Sequence, residues 1–293
     1  MQQWGAERIE ELTALVAVAA PDDDLTADEL LTALYDQPGV VLGPDDGTGV
    51  VAVGVGRDAS GALVASLRLV AVHPERRRSG VGDDLLAAAE AWATERGAER
   101  IELGGLLAFP LWPGVDPSGG LVDLAVRRGY SDRGEVRAFA VPSTFRSSPP
   151  DGVVVRRAVR DDDVTSVTLA VASNWPRRSD EVARALDHGT CHVAVATSPE
   201  ALDGREGDVV GIGCHSVTRA TWVGPLVVVP EARRQGVGHS LLGQICRDLM
   251  IAEFRHAEVH GIVEGDVAAE AFLRAAGADQ ARSYRVLARP LGA

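Results

Sequence analysis

The sequence predicts an α/β fold of the α+β type, in which helices flank a mixed, mostly antiparallel sheet, and it predicts this domain twice in tandem. A chain of 293 residues is too long for one ordinary core and fits about two domains of roughly 100–200 residues each. Residues 72–86 match residues 228–242 at ten of fifteen positions, at an offset of 156. An offset of half the chain indicates a duplicated domain rather than a solenoid, whose period is about 20–50 residues.

In the first half, two segments with the helical period of apolar residues precede two Val-rich runs with strand character. A third helical segment follows and stops at Gly97, a residue type that commonly ends helices. The predicted helices span residues 7–19, 27–35 and 83–96, and the predicted strands span residues 50–55, 63–72 and 100–103.

The second half repeats this alternation of strands and helices, which is typical of a layered domain. It opens with a strand at residues 153–157, for which the first half offers no counterpart. The other predicted strands span residues 192–196, 209–216, 222–228, 257–260 and 282–288, and the predicted helices span residues 161–173, 180–186, 240–252 and 267–276.

Between the halves, residues 143–152 are rich in Ser, Pro and Gly and have no apolar periodicity, so they read as a connection. The repeat offset then falls from 156 to 148, because the first copy carries eight extra residues within the segment 106–116. We therefore predict an N-terminal domain at 1–144, a linker at 145–151 and a C-terminal domain at 152–293.

Charge and residue usage exclude several classes of function. The chain carries 42 acidic and 29 basic residues, a net charge of −13, which argues against nucleic acid or an anionic membrane as the main partner. All 29 basic residues are arginine, so no lysine is present for a pyridoxal phosphate Schiff base or a Walker A loop. No apolar run approaches the ~20 residues that span a bilayer.

The three cysteines, Cys191, Cys214 and Cys246, are widely spaced and form no CxxC pair. They predict buried thiols in a reducing compartment, and with the absence of a leader-like N-terminus they favour a cytoplasmic location. Cys191 and Cys214 are each followed by a histidine. Because neighbours along a strand point to opposite faces, each pair offers one ligand at most to a common site. We therefore expect no metal site.

In each copy a Val-rich strand ends at a proline, and a glycine-containing turn then leads into a helix. The turn reads Arg77-Arg-Ser-Gly-Val-Gly82 in the first copy and Arg233-Arg-Gln-Gly-Val-Gly238 in the second. Free N–H groups at a helix N-terminus suit a phosphate or pyrophosphate. Glycine lets the backbone approach the anion, and arginine supplies counter-charge. One such turn could be a plain connection, but two copies at a domain-length offset favour an anion site.

The pattern V-x-P-x-x-[RQ]-x-x-G-x-G before an amphipathic helix resembles motif A of the GCN5-related N-acetyltransferases, the GNAT superfamily. The surrounding order of elements is also similar, so the chain resembles a tandem member with two GNAT-like domains. This resemblance implies that acetyl-CoA is the cosubstrate and that the motif A amides hold its pyrophosphate. It also implies a splay between the strand before the loop and the next strand, into which the pantetheine slides.

The resemblance assigns acetyl-CoA binding to the end of each strand and to the loop that follows it. In the second copy these residues are Leu226, Val227, Val228, Arg233, Arg234, Gln235, Gly236, Val237, Gly238 and His239. In the first copy they are Val70, Ala71, Val72, Arg77, Arg78, Ser79, Gly80, Val81 and Gly82.

Acyl transfer to an amine needs a base or a water chain, an oxyanion donor and an acid for the leaving thiolate. Many family members supply this acid with a tyrosine in the last helix, but the corresponding positions here are Leu273 and Ala125. We name Tyr284 as a substitute acid and Glu264, in the loop beside the splay, as the candidate base. Solvent could also serve, or a copy could be inactive. Weaker candidates for the base are Glu258, His260 and Asp266, the last of which also suits a helix N-cap.

The copies differ directly after the glycine turn. The first copy has Asp83 and Asp84 there, which would repel a bound diphosphate unless they point outward, whereas the second has His239 and Ser240. We therefore favour the second copy as the acetyl-CoA site, although the first carries three successive arginines, Arg76 to Arg78, before its glycines.

The sequence thus predicts an acyltransferase that moves an acetyl group from acetyl-CoA to the amine of a small-molecule acceptor. The acidic balance favours a cationic acceptor, and a homodimer is left open. Phe109 and Trp112, in the inserted segment, could form an apolar wall for the acceptor or cover the junction between the halves. The alternative is a catalytically inactive tandem protein that binds acyl-CoA and regulates, which the two missing tyrosines support.

Overall fold

The computed structural model describes residues 1–58, 60–104, 110–197 and 207–292. The chain divides into two compact units, one of residues 1–136 with 283–293 and one of residues 137–282. Both are layered combinations of helices with a mostly antiparallel mixed sheet, so the predicted fold class is confirmed. Among the described residues, no helix has the length and apolar character needed to cross a membrane.

The first repeat begins with a two-residue strand and ends with a long one. In chain order its elements are β1 (Gln2–Gln3), α1 (Ile9–Ala19), α2 (Ala27–Leu34), β2 (Gly39–Gly43), β3 (Gly49–Arg57), β4 (Leu63–Val72), α3 (Val81–Glu95), β5 (Arg100–Leu103), α4 (Gly120–Arg127) and β6 (Ser131–Pro142).

Over the residues that the structure describes, the second repeat has the same ten helices and strands in the same order. They are β7 (Val153–Arg157), α5 (Arg160–Asn174), α6 (Ser179–Asp187), β8 (Cys191–Ala196), β9 (Val209–His215), β10 (Trp222–Val228), α7 (Val237–Ile251), β11 (His256–Val263), α8 (Val267–Ala275) and β12 (Asp279–Pro290). The duplication inferred from one fifteen-residue match therefore extends over the whole of both repeats.

Four elements of the first repeat, β1, β2, α4 and β6, escape the sequence prediction. The helix α4 follows Gly119 and begins at Gly120, and glycine is a poor helix former. The strand β6 begins with the polar run Ser131-Asp-Arg-Gly134, which lacks an apolar alternation. The expectation that the first half has no opening strand is wrong, because β1 pairs antiparallel with β2.

In the first unit the strand order is β1-β2-β3-β4-β5-β12, and the pair β4–β5 is parallel. The strand β3 sends alternate side chains to opposite faces, as the pleat requires. Val51 and Val53 join a core with Leu85 of α3. Val50 and Ala52 join a second core with α1 and α2. The sheet is thus covered on both faces.

In the second unit the strand order is β6-β11-β10-β9-β8-β7, and the pair β10–β11 is parallel. The helix α7 packs against the sheet through buried side chains that include Leu241, Leu242 and Ile245. Cys191, Cys214 and Cys246 are buried free thiols, as predicted.

The last strand of the chain completes the sheet of the first unit rather than that of its own repeat. Residues Leu287–Pro290 of β12 pair antiparallel with β5, and Arg289 donates to the buried carboxylate of Glu90 on α3 at 2.8 Å. Conversely, the second unit includes the end of β6 from Arg137 onward. The two units are therefore not the linear halves into which the repeat divides the sequence.

Candidate functional site

The strands β10 and β11 of the second unit begin as a parallel pair and then separate. The paired residues are Trp222↔Glu258 and Val223↔Val259. Both strands continue beyond this point, β10 to Val228 and β11 to Val263. On its other side β10 resumes pairing with β9 after a bulge and keeps it over residues 226–228. The backbone edge of Leu226, Val227 and Val228 that faces away from β9 therefore borders the gap between the diverging strands.

In the first unit, the strand β4 has the same geometry as β10 of the second unit. The strands β4 and β5 pair in parallel from Val64↔Arg100 to Leu67↔Leu103. The strand β4 then passes an irregularity in its pairing with β3 and continues through Val70, Ala71 and Val72. The strand β5 ends at Leu103, and residues 105–109 lie outside the described residues.

The two glycine turns have the same backbone conformation. Gly80 and Gly236 are the N-cap residues of α3 and α7, with φ of 96° and 90°. Two residues earlier, Arg78 and Arg234 have φ of 65° and 60°. A Cβ at Gly80 or Gly236 would have no heavy atom of the described residues within 4 Å outside its chain neighbours. Each corner is therefore both left-handed, which favours glycine, and open on its outer side.

Several side chains of these turns donate hydrogen bonds to backbone carbonyls of the turn or of an adjoining element. Arg233 Nε donates to Val228 O at 3.0 Å, and Gln235 Nε2 donates to Glu231 O at 2.9 Å. In the first unit, Ser79 Oγ donates to Arg76 O at 2.6 Å, and Arg77 Nη2 donates to Ala19 O at 2.8 Å. These bonds fix the turns. The N–H groups of the first helical turn have no acceptor within their own helix, so an anion at the corner would meet main-chain donors.

The second glycine of each turn serves the packing of the helix. A Cβ at Gly238 would lie 3.2 Å from the ring of Phe272 on α8, and one at Gly82 would lie 3.1 Å from Leu124 on α4. Val237 and Val81, between the two glycines of each turn, pack into the cores. The sequence motif therefore combines an open corner with a close helix contact, and only the first of these features faces solvent.

His239 and Ser240 follow the second turn and contact other parts of the second unit. The His239 ring stacks on Phe272 at 4.3 Å, and its Nε2 lies 2.9 Å from Phe272 O. Ser240 Oγ donates to Ser148 O at 2.6 Å, which holds the segment predicted as the linker against α7. The imidazole of His239 is thus engaged in packing, which leaves its main chain for an anion.

The acidic residue Asp83 of the first turn has a counter-charge. Arg128, at the end of α4, lies 2.9 Å from Asp83 Oδ1 and also binds Glu90 at 2.6 Å. The hydrogen bonds that Arg128 donates to Glu90 and Asp83, with the negative charges of these carboxylates, raise the pKa of Arg128, which stays charged. The guanidinium draws Asp83 toward α4.

The two residues predicted as base and acid lie in different units. Glu264 lies in the second unit, where its exposed carboxylate accepts from Arg137 Nη2 at 2.8 Å. Tyr284 lies on β12 within the first unit and is buried. Asp266 is the N-cap of α8 and accepts from Ala269 N at 3.0 Å, so its predicted capping role is confirmed. Leu273 and Ala125, at the positions of the family tyrosine, are buried apolar side chains.

Two rings flank the point where β10 and β11 separate. Trp222 precedes the last paired residue of β10, and His260 follows the last paired residue of β11; their ring centroids are 3.7 Å apart. Burial, then the charges of Arg178 and Arg219, lower the pKa of His260 to about 3. In the sequence His260 is only a weak candidate base and these arginines carry no signal, because nothing local links residues 178, 219 and 260.

The histidines that follow two cysteines meet a carboxylate of α7. His192 Nε2 and His215 Nε2 lie 2.8 Å and 3.3 Å from Asp248 Oδ2. The donor atoms of these three side chains lie within 4.8 Å of one another, close enough to consider a metal ion. However, the same oxygen also accepts from the Arg157 guanidinium, whose positive charge occupies the position of a cation. We therefore assign the cluster to a hydrogen-bonded ionic network.

The described part of the inserted segment packs on the first unit. Leu111 is buried in the cluster that contains Leu69 and Ala71 of β4. Trp112 packs against this cluster, and its Nε1 donates to Asp23 Oδ2 at 2.9 Å. Phe109, the other aromatic of the predicted wall, lies outside the described residues. The insertion thus covers the face of β4 just beyond its pairing with β5.

Comparison with known families and structures identifies relatives for this arrangement. A family model described as the acetyltransferase (GNAT) family matches residues 6–109 and 157–278. Each match contains one of the two glycine turns, so the two copies of the site are recognised independently.

Solved structures of similar architecture cover nearly the whole chain. A tandem GNAT protein from the clavulanic acid biosynthesis pathway is 19% identical with a TM-score of 0.72, and the match covers 99% of this chain and 98% of that one. A GCN5-related N-acetyltransferase from Sphaerobacter thermophilus is 19% identical with a TM-score of 0.70, and the match covers 100% and 95%.

A third structure is part of a larger protein. It is a GCN5-related glucosamine N-acetyltransferase region of a fungal multi-domain GH3 β-N-acetylglucosaminidase, with a TM-score of 0.75 at 16% identity. The match covers 98% of this chain but only 38% of the fungal one. No curated protein matches the chain by sequence. At these identities the structural likeness establishes the fold and leaves the substrate undefined.

Proposed function

Since the chain belongs to the acetyltransferase (GNAT) family, we propose that it transfers an acetyl group from acetyl-CoA to the amine of a small-molecule acceptor. The observation that carries this proposal is the open glycine corner beside a parted strand pair in the second unit. Gly236 leaves space where a Cβ would stand, and α7 begins there without a side-chain cap, so its first N–H groups have no acceptor within the helix. These features fit a diphosphate.

In this proposal the chain contributes binding and orientation. The main chain at residues 236–238 holds the diphosphate, and the open edge of Leu226–Val228 offers peptide groups to the extended amide arm of the cosubstrate. Acetyl-CoA supplies the activated acyl group. Holding the thioester and the amine together at the end of the splay lowers the entropic part of the barrier, an effect worth up to about 7–11 kcal/mol in well-oriented systems.

We place the transfer in the second unit. There both strands of the splay extend beyond their last paired residues, Val223 and Val259. In the first unit, Leu111 of the insertion is buried with Leu69 and Ala71, which lie on the continuation of β4. An acceptor approaching that face of the first splay would meet this apolar packing.

A thiol-release assay with purified protein, acetyl-CoA and a panel of primary amines tests the proposal. Turnover that saturates in both substrates is the expected result. The burial of apolar Leu273 and Ala125 at the positions of the family tyrosine favours the alternative of an acyl-CoA-binding regulator. Calorimetric binding of acetyl-CoA without thiol release from any amine would support that alternative, and absence of binding would contradict both.

Replacing Gly80 with aspartate reports on the first unit. Because we place acetyl-CoA in the second unit, we expect the calorimetric stoichiometry and the dissociation constant to stay at their wild-type values. A fall in the number of bound molecules per chain would show that the first corner is also loaded. Circular dichroism should confirm that the variant keeps its fold, since Gly80 has an open outer side.

A further inference from the structure

The end of the splay in the second unit is lined by groups that can recognise an anion. Trp222 and His260 flank the separation of β10 and β11, and their rings are in contact at 3.7 Å. In the proposed function the thioester of acetyl-CoA lies at the end of this splay. The attacking amine has to approach it to about 3–3.5 Å, so the amine must also bind close to this point. The side chains around the ring pair therefore bear on the choice of acceptor.

Two arginines contribute positive charge near the ring pair. The Arg219 guanidinium carbon lies 5.3 Å from the Trp222 ring centroid. Arg178 ends the turn Pro176–Arg178 directly before α6. Burial lowers the pKa of His260, and the charges of Arg178 and Arg219 lower it further. The nearest described counter-charge of Arg178 is Glu181, at 2.9 Å. His260 is therefore neutral at pH 7 and adds no charge of its own beside these guanidinium groups.

The ring pair also carries unsatisfied hydrogen-bonding atoms. Trp222 is 3% exposed, and its Nε1 has no hydrogen-bond partner among the described residues; the same holds for the buried Nδ1 of His260. Buried polar side-chain atoms nearly always have a partner. An indole N–H can only donate, so the group that completes Trp222 has to be a hydrogen-bond acceptor.

We propose that the acceptor of this transferase is an amine that carries a carboxylate, and that Arg178 and Arg219 bind this carboxylate beside the Trp222–His260 ring pair. A carboxylate offers two oxygens to planar guanidinium donors and further lone pairs to an indole N–H. The inference rests on the proposed function and names its substrate class. An acceptor with a carboxylate replaces the cationic acceptor that the net charge of −13 favours. A bound substrate interacts with the side chains next to it, here two arginines, more strongly than with the net charge of the whole chain.

Matched pairs of amines test this assignment. Each standard α-amino acid is assayed beside the amine formed by its decarboxylation, such as L-lysine with cadaverine and L-phenylalanine with phenethylamine. Equilibrium binding in the presence of coenzyme A, followed by tryptophan fluorescence, is measured for the same compounds. We expect at least one amino acid to bind and be acetylated with a kcat/KM about tenfold or more above that of its decarboxylated partner.

The outcomes separate the inference from the proposed function. Acetylation of the decarboxylated amines with equal or higher efficiency would leave an acetyltransferase but overturn the carboxylate assignment. Neither binding nor turnover of any amino acid, with acetyl-CoA still bound, would also overturn it. Absence of acetyl-CoA binding would instead remove the proposed function.

Substitution of Arg219 distinguishes recognition from a structural role. We expect Arg219→Gln to raise KM for the preferred amino acid about tenfold and to change kcat/KM for its decarboxylated partner much less. Arg160→Gln is the matched control, because Arg160 is an exposed arginine of the same unit that pairs with Asp187. Equal losses for both amines in the Arg219 variant would show that the residue only maintains the fold. A matching KM increase in Arg160→Gln would attribute the effect to net charge.

Discussion

Replacing Gly236 with aspartate should abolish acetyl-CoA binding, with the dissociation constant raised at least about 100-fold in calorimetry. Gly236 has φ of 90°, and a Cβ placed there meets no described heavy atom within 4 Å. The new carboxylate would therefore project into the open space that we assign to the diphosphate. Each loss of about 1.4 kcal/mol in binding free energy raises the dissociation constant tenfold. Charge repulsion and steric exclusion of the diphosphate therefore need to contribute only about 1.4 kcal/mol each to reach a 100-fold effect.

Gly236→Ala is the matched control for this result. Both substitutions place a side chain on a left-handed backbone, at a cost of about 1–3 kcal/mol to folding, but alanine adds neither charge nor reach. We expect Gly236→Ala to lower the thermal midpoint as much as Gly236→Asp does, while its affinity for acetyl-CoA falls far less. Equal affinities for the two variants would mean that backbone strain alone disrupts the corner. Wild-type affinity for Gly236→Asp would refute the assignment.

The glycine corner could be predicted from sequence because its determinants are local. Within the eight residues from Pro230 to Val237, a proline stops the strand, glycine permits a left-handed N-cap and a helix begins. The repeat then supplied a second copy at a fixed offset. The same locality explains why β4, β7 and β10 have the predicted bounds, since each contains a valine-rich run next to turn residues. The strand β5 also has the predicted bounds, and it alternates charged and apolar residues.

The return of β12 to the first unit could not be predicted in this way. Its pairing joins Leu287 to Leu103 and Pro290 to Arg100, residues far apart in the sequence. Local propensity defines a strand there but does not determine its partner. The ring pair and its arginines are equally non-local, because Arg178, Arg219 and His260 come from a helix boundary, a turn and a strand. Functional groups assembled by tertiary structure in this manner leave no spacing pattern in the sequence.

Replacing Asp248 with asparagine should lower the stability of the second unit by about 3 kcal/mol at pH 7. Its side chain is 15% exposed, and its Oδ2 faces His192, His215 and Arg157. Removal of the charged member of a buried ionic network leaves its partners uncompensated, at a typical cost of about 3–5 kcal/mol. We take the lower end because Arg157 is half exposed and can turn toward water. Asp187→Asn, in an exposed pair with Arg160, should cost at most about 1 kcal/mol.

The pH dependence of the stability difference between wild type and Asp248→Asn gives a second and more specific test. Burial raises the pKa of Asp248, but hydrogen bonds from His192 and His215 and the charge of Arg157 outweigh it, so the pKa lies well below its usual range. A carboxyl whose pKa is depressed by folding stabilises the protein above its unfolded pKa, about 3.9, and this contribution is lost as the pH falls toward the folded pKa. The gap in thermal midpoint between wild type and Asp248→Asn should therefore be constant above about pH 5 and narrow as the pH falls below about 4. A gap that stays constant down to the lowest pH at which both proteins fold would show that the Asp248 charge does not stabilise the network.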